Sequence, residues 1–251
     1  MRTPTLPMPT SRALRLGSGL VLWVYVASHL FNHALGLVSL GAAEQGLRVA
    51  LVVWHSALGT LLLYCAFAVH LVLAMLGLYQ RPTLRLPAVE LLRIGAGLAI
   101  PMLLVGHAVA TRMAFEWYGL VPQYQRVVTA LLHTGSEGRQ LALLAPGWLH
   151  GCMGLHMALR KRERYHRWRW AWAAAALLLP CLAAAGFLHM AQEVGALLPQ
   201  APLPKLAVDT ADGARVESLQ NLRVQILSVY GVLLAAVVLA RGARAVHKHR
   251  H

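Results

Sequence analysis

The chain has 251 residues, of which 58% are hydrophobic and only 13% charged, whereas a soluble domain carries about a quarter charged residues. This composition excludes an ordinary soluble enzyme and predicts an all-α, polytopic membrane protein. The net charge of +14 would indicate nucleic-acid binding in a soluble protein, but cationic loops beside a membrane explain it here, so we expect no nucleic acid.

Six stretches are long and apolar enough to cross a bilayer, which takes about 20 mostly apolar residues. They cover residues 15–40, 46–80, 88–113, 141–160, 169–192 and 221–242. We expect the first four to form a four-helix bundle with two further helices beside it. Residues 1–14 are then a cytoplasmic N-terminal segment and 243–251 a cytoplasmic basic tail. No convincing internal repeat is recognised.

Two longer connections separate the later spans. The 114–140 connection contains the stretch VVTALL, which predicts a short helix at the membrane interface. The 193–220 connection contains several prolines and acidic residues, which predict an irregular hairpin. Neither connection carries a catalytic pattern, and we expect no catalytic site within the 251 residues.

The cations predict the orientation of the chain. Of the 23 lysines and arginines, sixteen fall on the side of the membrane that holds both predicted termini, and seven fall on the other side. Because arginine and lysine concentrate in cytoplasmic loops, both termini are expected in the cytoplasm. The densest basic block, residues 160–169, is first a topology signal. Binding of anionic lipid is the second interpretation.

Histidines are unusually frequent inside the predicted spans, which hold eight of the thirteen, whereas all nine acidic residues lie in loops or at span ends. The eight are His29, His33, His55, His70, His107, His150, His156 and His189. Polar residues at that depth usually face a functional site. Imidazoles without buried carboxylates argue against a proton pump and favour a soft or borderline metal, for which haem iron is a good candidate.

The rise of an α-helix groups four of these histidines into two depths. His70 and His150 lie 11 and 10 residues from the arginines that follow them, which places both roughly 15 Å into the membrane. His29 and His107 each lie 14 residues from a preceding arginine, at roughly 21 Å. Their helices are the two diagonals of a four-helix bundle, so each pair is placed to hold a planar ligand between its imidazoles.

Four stretches of the sequence resemble a known family. They are VASHLFNHALG, YCAFAVHLVLAMLGLYQRP, GAGLAIPMLLVGHAVATRM and GWLHGCMGLHMALRKR. These stretches resemble the haem-bearing helices of the dihaem cytochrome b subunit of succinate:quinone and fumarate:quinone oxidoreductases, over residues 15–160. Together with six spans, they are most similar to the cytochrome-b-type membrane anchor of bacterial class III adenylate cyclases, in which a ferredoxin-like domain and a cyclase domain follow the anchor.

The resemblance implies two non-covalent haem b groups, with quinone as a further ligand. His29 and His107 would hold the haem farther from the cytoplasm, and His70 and His150 the nearer one.

Other residues receive subsidiary roles. His33 is an alternative ligand, a propionate partner or a quinone contact, and His156 is an alternative ligand or a propionate partner. Arg112 is a partner for a propionate carboxylate. Glycines let a macrocycle edge approach a helix backbone. Those expected to do so are Gly106, Gly151 and Gly154.

By this resemblance the chain is a redox- and quinone-sensing anchor that regulates a cytoplasmic adenylate cyclase. We then expect a homodimer in the bacterial inner membrane, with ferredoxin-like and cyclase domains following in the complete protein. Two alternatives stay open. One is an electron-transferring cytochrome b anchor subunit of a quinone oxidoreductase, and the other is a haem-free membrane scaffold whose histidines bind another metal.

Overall fold

The structure is a computed structural model that describes residues 8–83, 85–197 and 210–249. Within those ranges the secondary structure is helical, without a strand. The α-helices are α1 Met8–Ala34, α2 Leu40–Trp54, α3 Ala57–Gln80, α4 Ala88–Ala108, α5 Ala114–Tyr118, α6 Tyr124–Thr134, α7 Glu137–Leu159, α8 Glu163–Arg167, α9 Arg169–Leu197 and α10 Thr210–His249. A 3-10 turn, Leu35–Leu37, follows α1, and a π-helical turn, Val109–Met113, joins α4 to α5.

Five helical segments in the described part of the chain have the length and apolar composition needed to cross a membrane. They are Thr10–Leu37, Ala57–Gln80, Ala88–Tyr118, Arg169–Leu197 and Gly213–Arg244. Large apolar side chains on them face outward, as lipid-facing residues do. The predicted all-α fold is therefore confirmed, and the five segments indicate a multi-pass membrane protein.

The predicted fourth span, 141–160, coincides with α7, a helix of 23 residues that does not belong to the set of five apolar segments. Polar side chains lower its apolarity, since Arg139, Gln140 and two histidines lie on it. Length therefore allows α7 to cross a bilayer, while its composition is that of a helix facing protein rather than lipid.

The predicted second span, 46–80, is two helices, because the chain breaks after α2 at His55. Ser56 has extended backbone angles, and its hydroxyl accepts a hydrogen bond from the Gly59 amide at 3.0 Å, which caps α3. A Cβ on Gly59 would lie 2.1 Å from the carbonyl oxygen of Val53, so this sharp turn requires glycine. Apolar stretches on both sides of the polar pair His55-Ser56 hide the turn in an averaged hydropathy pattern.

Other boundaries also differ from the prediction. The short helix expected in the 114–140 connection is confirmed as α6. The irregular hairpin expected over 193–220 is wrong at both ends, because α9 continues to Leu197 and α10 begins at Thr210; residues 198–209 lie outside the described ranges. Helices α1 and α10 likewise extend into the segments 1–14 and 243–251. Hydropathy marks where a helix can enter the membrane, and helix-forming polar residues continue beyond that point.

The packing of the helices determines which of the histidine-bearing helices lie opposite each other. Helix α1 packs between α3 and α7, α4 packs on α7, and α10 lies against both α3 and α4. Helices α1 and α4 are thus diagonal to each other, as are α3 and α7. Helix α9 covers α1, where a Cβ on Gly186 would lie 2.2 Å from the carbonyl oxygen of His33. Such close backbone contact through small residues is typical of helices packed in membranes.

Candidate functional site

Two histidine pairs meet between the diagonal helices. The ring centroids of His29 on α1 and His107 on α4 lie 5.8 Å apart, and we call these residues the α1–α4 pair. The ring centroids of His70 on α3 and His150 on α7 lie 6.0 Å apart and form the α3–α7 pair. With metal–nitrogen bonds of about 2 Å, two imidazoles on opposite sides of one metal ion have centroids roughly 6 Å apart. The ligand role itself stays a prediction.

The α3–α7 pair has its ring nitrogens arranged for metal binding. Nδ1 of His150 lies 2.9 Å from the carbonyl oxygen of Arg93, which only accepts, so Nδ1 carries the proton. Nδ1 of His70 lies 3.3 Å from the Ser18 hydroxyl, which itself donates to the carbonyl of Leu14 at 2.7 Å, so we assign the same tautomer. Nε2 of both rings then keeps its lone pair. Histidines that bind metals usually donate their other N–H to an oxygen in this way.

A glycine on the neighbouring helix lies against each imidazole of the α3–α7 pair. A Cβ on Gly97 of α4 would lie 2.6 Å from Cε1 of His150. A Cβ on Gly19 of α1 would lie 3.1 Å from Cε1 of His70. The two glycines therefore set the position of both rings, and a larger residue at 97 would displace His150.

The α1–α4 pair has a third imidazole beside it. Nε2 of His33 lies 3.2 Å from Nε2 of His29, and the His33 ring packs against Tyr124 with centroids 5.2 Å apart. The side chain of Gln140 lies near His107. His33 is thus in the same cluster as His29, as its spacing of four residues predicts. Within residues 8–83, 85–197 and 210–249, no group of three or more histidine, cysteine, aspartate or glutamate side chains is placed to hold one metal ion.

Arg112, the predicted propionate partner, is held by the start of α3. Its guanidinium donates to the carbonyl oxygen of Trp54 at 3.2 Å and to the Thr60 hydroxyl at 2.7 Å, and it forms an ion pair with Glu116 at 2.5 Å. The role in binding a propionate stays a prediction, and it would require Arg112 to exchange at least one of these partners.

Other groups lie beside two of the three predicted glycines, and the role of all three in admitting a macrocycle edge stays a prediction. A Cβ on Gly106 would lie 3.6 Å from Nε of Arg223 on α10, and one on Gly151 would lie 2.8 Å from Cδ1 of Trp23. Around Gly154, no heavy atom of the described residues lies within 4 Å of such a Cβ. Sequence reasoning therefore missed the two glycines, at 19 and 97, that contact the α3–α7 pair.

The remaining predicted histidines lie away from both pairs. His156 is exposed, and its Nδ1 lies 2.8 Å from the Tyr165 hydroxyl. His55 ends α2 at the break before α3. Nδ1 of His189 lies 2.8 Å from the carbonyl oxygen of Gly36, which supports the α1–α9 contact. These three residues have structural partners of their own.

No family model matches this chain, and neither a curated protein nor a solved structure matches it. The geometry of the described residues therefore carries the functional interpretation.

The missed glycines lie at equivalent positions of a short internal repeat, which the sequence alone did not make convincing. The stretch RLGSGL at 15–20 recurs as RIGAGL at 93–98, and a paired histidine follows ten residues after the second glycine in both. Helix α1 packs on α3 as α4 packs on α7. Each histidine pair takes one imidazole from each half of this repeat, so the bundle has an approximate two-fold arrangement. Five identities in fifteen positions are too few to stand out without the structure.

Proposed function

We propose that the chain is a membrane-embedded b-type cytochrome that holds two haems, one between the imidazoles of each histidine pair. The observation that carries the proposal is the meeting of four imidazoles from four helices as two pairs, with centroids 5.8 and 6.0 Å apart. Bound haem supplies one-electron redox chemistry, whose potential depends on ligands, hydrogen bonds and burial. The protein's part is to present Nε2 of His70 and of His150 with its lone pair.

Further features support a planar dianionic ligand at the α3–α7 pair. Each imidazole comes from a different half of the repeat, which suits a ligand with two equivalent faces. Arg15, which donates to the carbonyl of Leu73 at 3.2 Å, and Arg93 are cations beside this pair. Nε of Arg93 is buried without a partner among the described residues.

Haem content tests the proposal directly. Protein purified from haem-replete cells should be coloured, and a pyridine haemochrome assay should give two haem b per chain. Acid acetone should extract both, because the sequence contains no CxxCH attachment motif. A colourless preparation would contradict the proposal. A colourless preparation that contains a stoichiometric transition metal would instead favour the haem-free scaffold.

We infer, from the resemblance, that the cytochrome acts as a redox sensor which regulates a cytoplasmic adenylate cyclase, with quinone as the electron source and a homodimer as the assembly. The position of α10 supports this role, since it contacts both α3 and α4. The alternative is an anchor subunit that passes electrons between quinone and a soluble dehydrogenase. Co-purification of a dehydrogenase from the native membrane, without a redox response of α10, would favour that alternative.

We also propose six crossings, with both termini in the cytoplasm of a bacterium. Helix α7 must cross together with the five apolar segments if His150 lies at the depth of His70. Six crossings bring the termini to one side, whereas five put them on opposite sides. Reporter fusions before Met1 and after His251 should both show cytoplasmic activity. Termini on opposite faces would contradict the crossing of α7 and the bilayer placement of the α3–α7 pair.

A further inference from the structure

A cavity lies between the end of α7 and the start of α9, away from both histidine pairs. Its volume is about 830 Å³, and its lining includes Arg162, Arg164, Tyr165, Trp168 and Trp172. Ligand sites commonly have volumes of about 300–1,000 Å³. The cavity thus combines guanidinium groups with a wall of aromatic rings in a space large enough for part of an amphiphile.

The cavity is at the boundary of the membrane. Helix α9 is one of the five apolar segments, and it begins at Arg169, the last residue of the basic block 160–169. Trp168 and Trp170 beside this block are 62% and 76% exposed. Exposed tryptophans next to cations are typical of the level of the lipid head groups. The cavity therefore lies where a lipid head group and the first part of its acyl chain meet the protein.

The charges of the lining favour an anion. Arg162 and Arg164 are exposed and form no ion pair within the described ranges of the chain. Glu163 is the one carboxylate among the lining residues, so positive charge is in excess. Arg169, by contrast, does not line the cavity, and its guanidinium lies over the Trp170 ring at 5.6 Å.

Tyr165 gives the cavity a defined shape. Its hydroxyl bonds to Nδ1 of His156 on α7 at 2.8 Å, and its ring stacks on Trp172 of α9 with an interplanar angle of 17°. The short helix α8 is thereby tied to both of the long helices. A site that is ordered before binding loses less entropy when the ligand binds.

We propose that this cavity binds one anionic phospholipid. Arg162 and Arg164 pair with its phosphate, and the rings of Trp168 and Trp172 pack against its proximal acyl chain. Guanidinium groups form strong, charge-assisted hydrogen bonds with phosphate oxygens. A zwitterionic lipid would bring a cationic choline close to the same arginines, so phosphatidylglycerol should bind in preference to phosphatidylcholine. The inference does not depend on haem.

The test is native mass spectrometry of the whole chain, in detergent, titrated with phosphatidylglycerol or phosphatidylcholine. The double variant R162Q/R164Q should bind phosphatidylglycerol roughly thirtyfold more weakly, because each cation near the lipid surface contributes about 1 kcal/mol, and 1.4 kcal/mol is a factor of ten. Its affinity for phosphatidylcholine should change little. The matched control R160Q/K161Q removes the same charge from the same basic block without touching the cavity lining, and should change the affinity less than twofold.

Three results would overturn the proposal. The first is an equal loss of affinity in the control variant, which would mean diffuse attraction by the whole basic block. The second is no loss of affinity in R162Q/R164Q. The third is displacement of the lipid by inorganic phosphate at millimolar concentration. A measurement on the unaltered protein guards against misfolding of the variants. A photoactivatable phosphatidylglycerol should cross-link within residues 159–175 in preference to the same phosphatidylcholine, and cross-links spread over the other helices would also overturn the proposal.

Discussion

Replacing His150 by Ala is expected to remove one of two haems completely and to leave the other in place. His70→Ala should remove the same haem, because the two imidazole centroids lie 6.0 Å apart and neither imidazole could hold the iron without its partner. The haem stoichiometry should fall from two to one in each variant, and the double variant should also retain one. A redox titration of each single variant should lack the same component.

A milder change beside His150 distinguishes loss of the ligand from loss of the fold. Gly97→Ala places a methyl group 2.6 Å from Cε1 of His150, so the imidazole must move and haem occupancy at this pair should fall severalfold. Gly95→Ala is the matched control, since no heavy atom of the described residues lies within 4 Å of the new Cβ. Equal haem contents in the two glycine variants would contradict the position that we assign to His150.

Variants of the α1–α4 pair should lose the other haem and keep the one at the α3–α7 pair. His29→Ala and His107→Ala should remove the haem that His150→Ala leaves. His33 is the competing residue on α1, because its Nε2 lies 3.2 Å from that of His29. If His33→Ala abolished this haem while His29→Ala kept it, the ligand on α1 would be His33, and the pairing with α4 would have to be redrawn.

The sequence predicts the pairing of the histidines because helix rise is constant. Counting residues from an arginine near the membrane boundary is enough to place His70 level with His150 and His29 level with His107. Diagonal placement in a bundle then brings each pair together. Neither step requires knowledge of side-chain packing, so both can be made from the chain alone.

Features that depend on tertiary contact could not be predicted from the sequence by such counting. The break at Ser56 is marked in the sequence only by the polar pair His55-Ser56 within a long apolar stretch, and the turn itself depends on the contact of Gly59 with Val53. Gly19 and Gly97 look like ordinary small residues until their neighbours are known. The glycines adjacent to histidines, such as Gly151, were more conspicuous in the sequence, yet Gly151 packs on Trp23 instead. The role of these glycines in admitting a macrocycle edge stays a prediction, whereas the glycines that contact an imidazole lie on a neighbouring helix.

Helix α10 touches the bundle beside both histidine pairs, although it carries no histidine within the predicted span 221–242. The Tyr230 hydroxyl donates to the carbonyl oxygen of Leu98 at 2.8 Å, and Leu98 follows the glycine that contacts His150. Arg223 lies beside Gly106, the residue before His107. Near the other end, Nε of Arg241 donates to the carbonyl of Arg81 at 3.2 Å. We therefore expect a change in charge at either pair to act on α10.

Tyr230→Phe should shift the midpoint potential of the haem at the α3–α7 pair and leave the other haem unchanged. Coupling between sites is reciprocal, so if reduction changes the packing of α10, a change in that packing must alter the potential. Loss of one hydrogen bond, at about 0.5–1 kcal/mol, corresponds to roughly 20–40 mV for a one-electron couple. Redox titration of the purified variant measures this shift. Tyr118→Phe is the matched control, since it keeps the ring that Arg215 of α10 covers at 5.6 Å.

The same coupling predicts an output at the C-terminal end of α10. An adenylate cyclase domain attached after His251 should differ in rate between oxidised and reduced haems, by about fivefold for a coupling of 1 kcal/mol. Tyr230→Phe should reduce that difference, while Tyr118→Phe should preserve it. Equal cyclase rates in both redox states, together with an unchanged potential in Tyr230→Phe, would mean that α10 is a passive helix. The two haems would then serve electron transfer across the bundle, because a bistable element biased by redox state is what a sensor requires and a conduit does not.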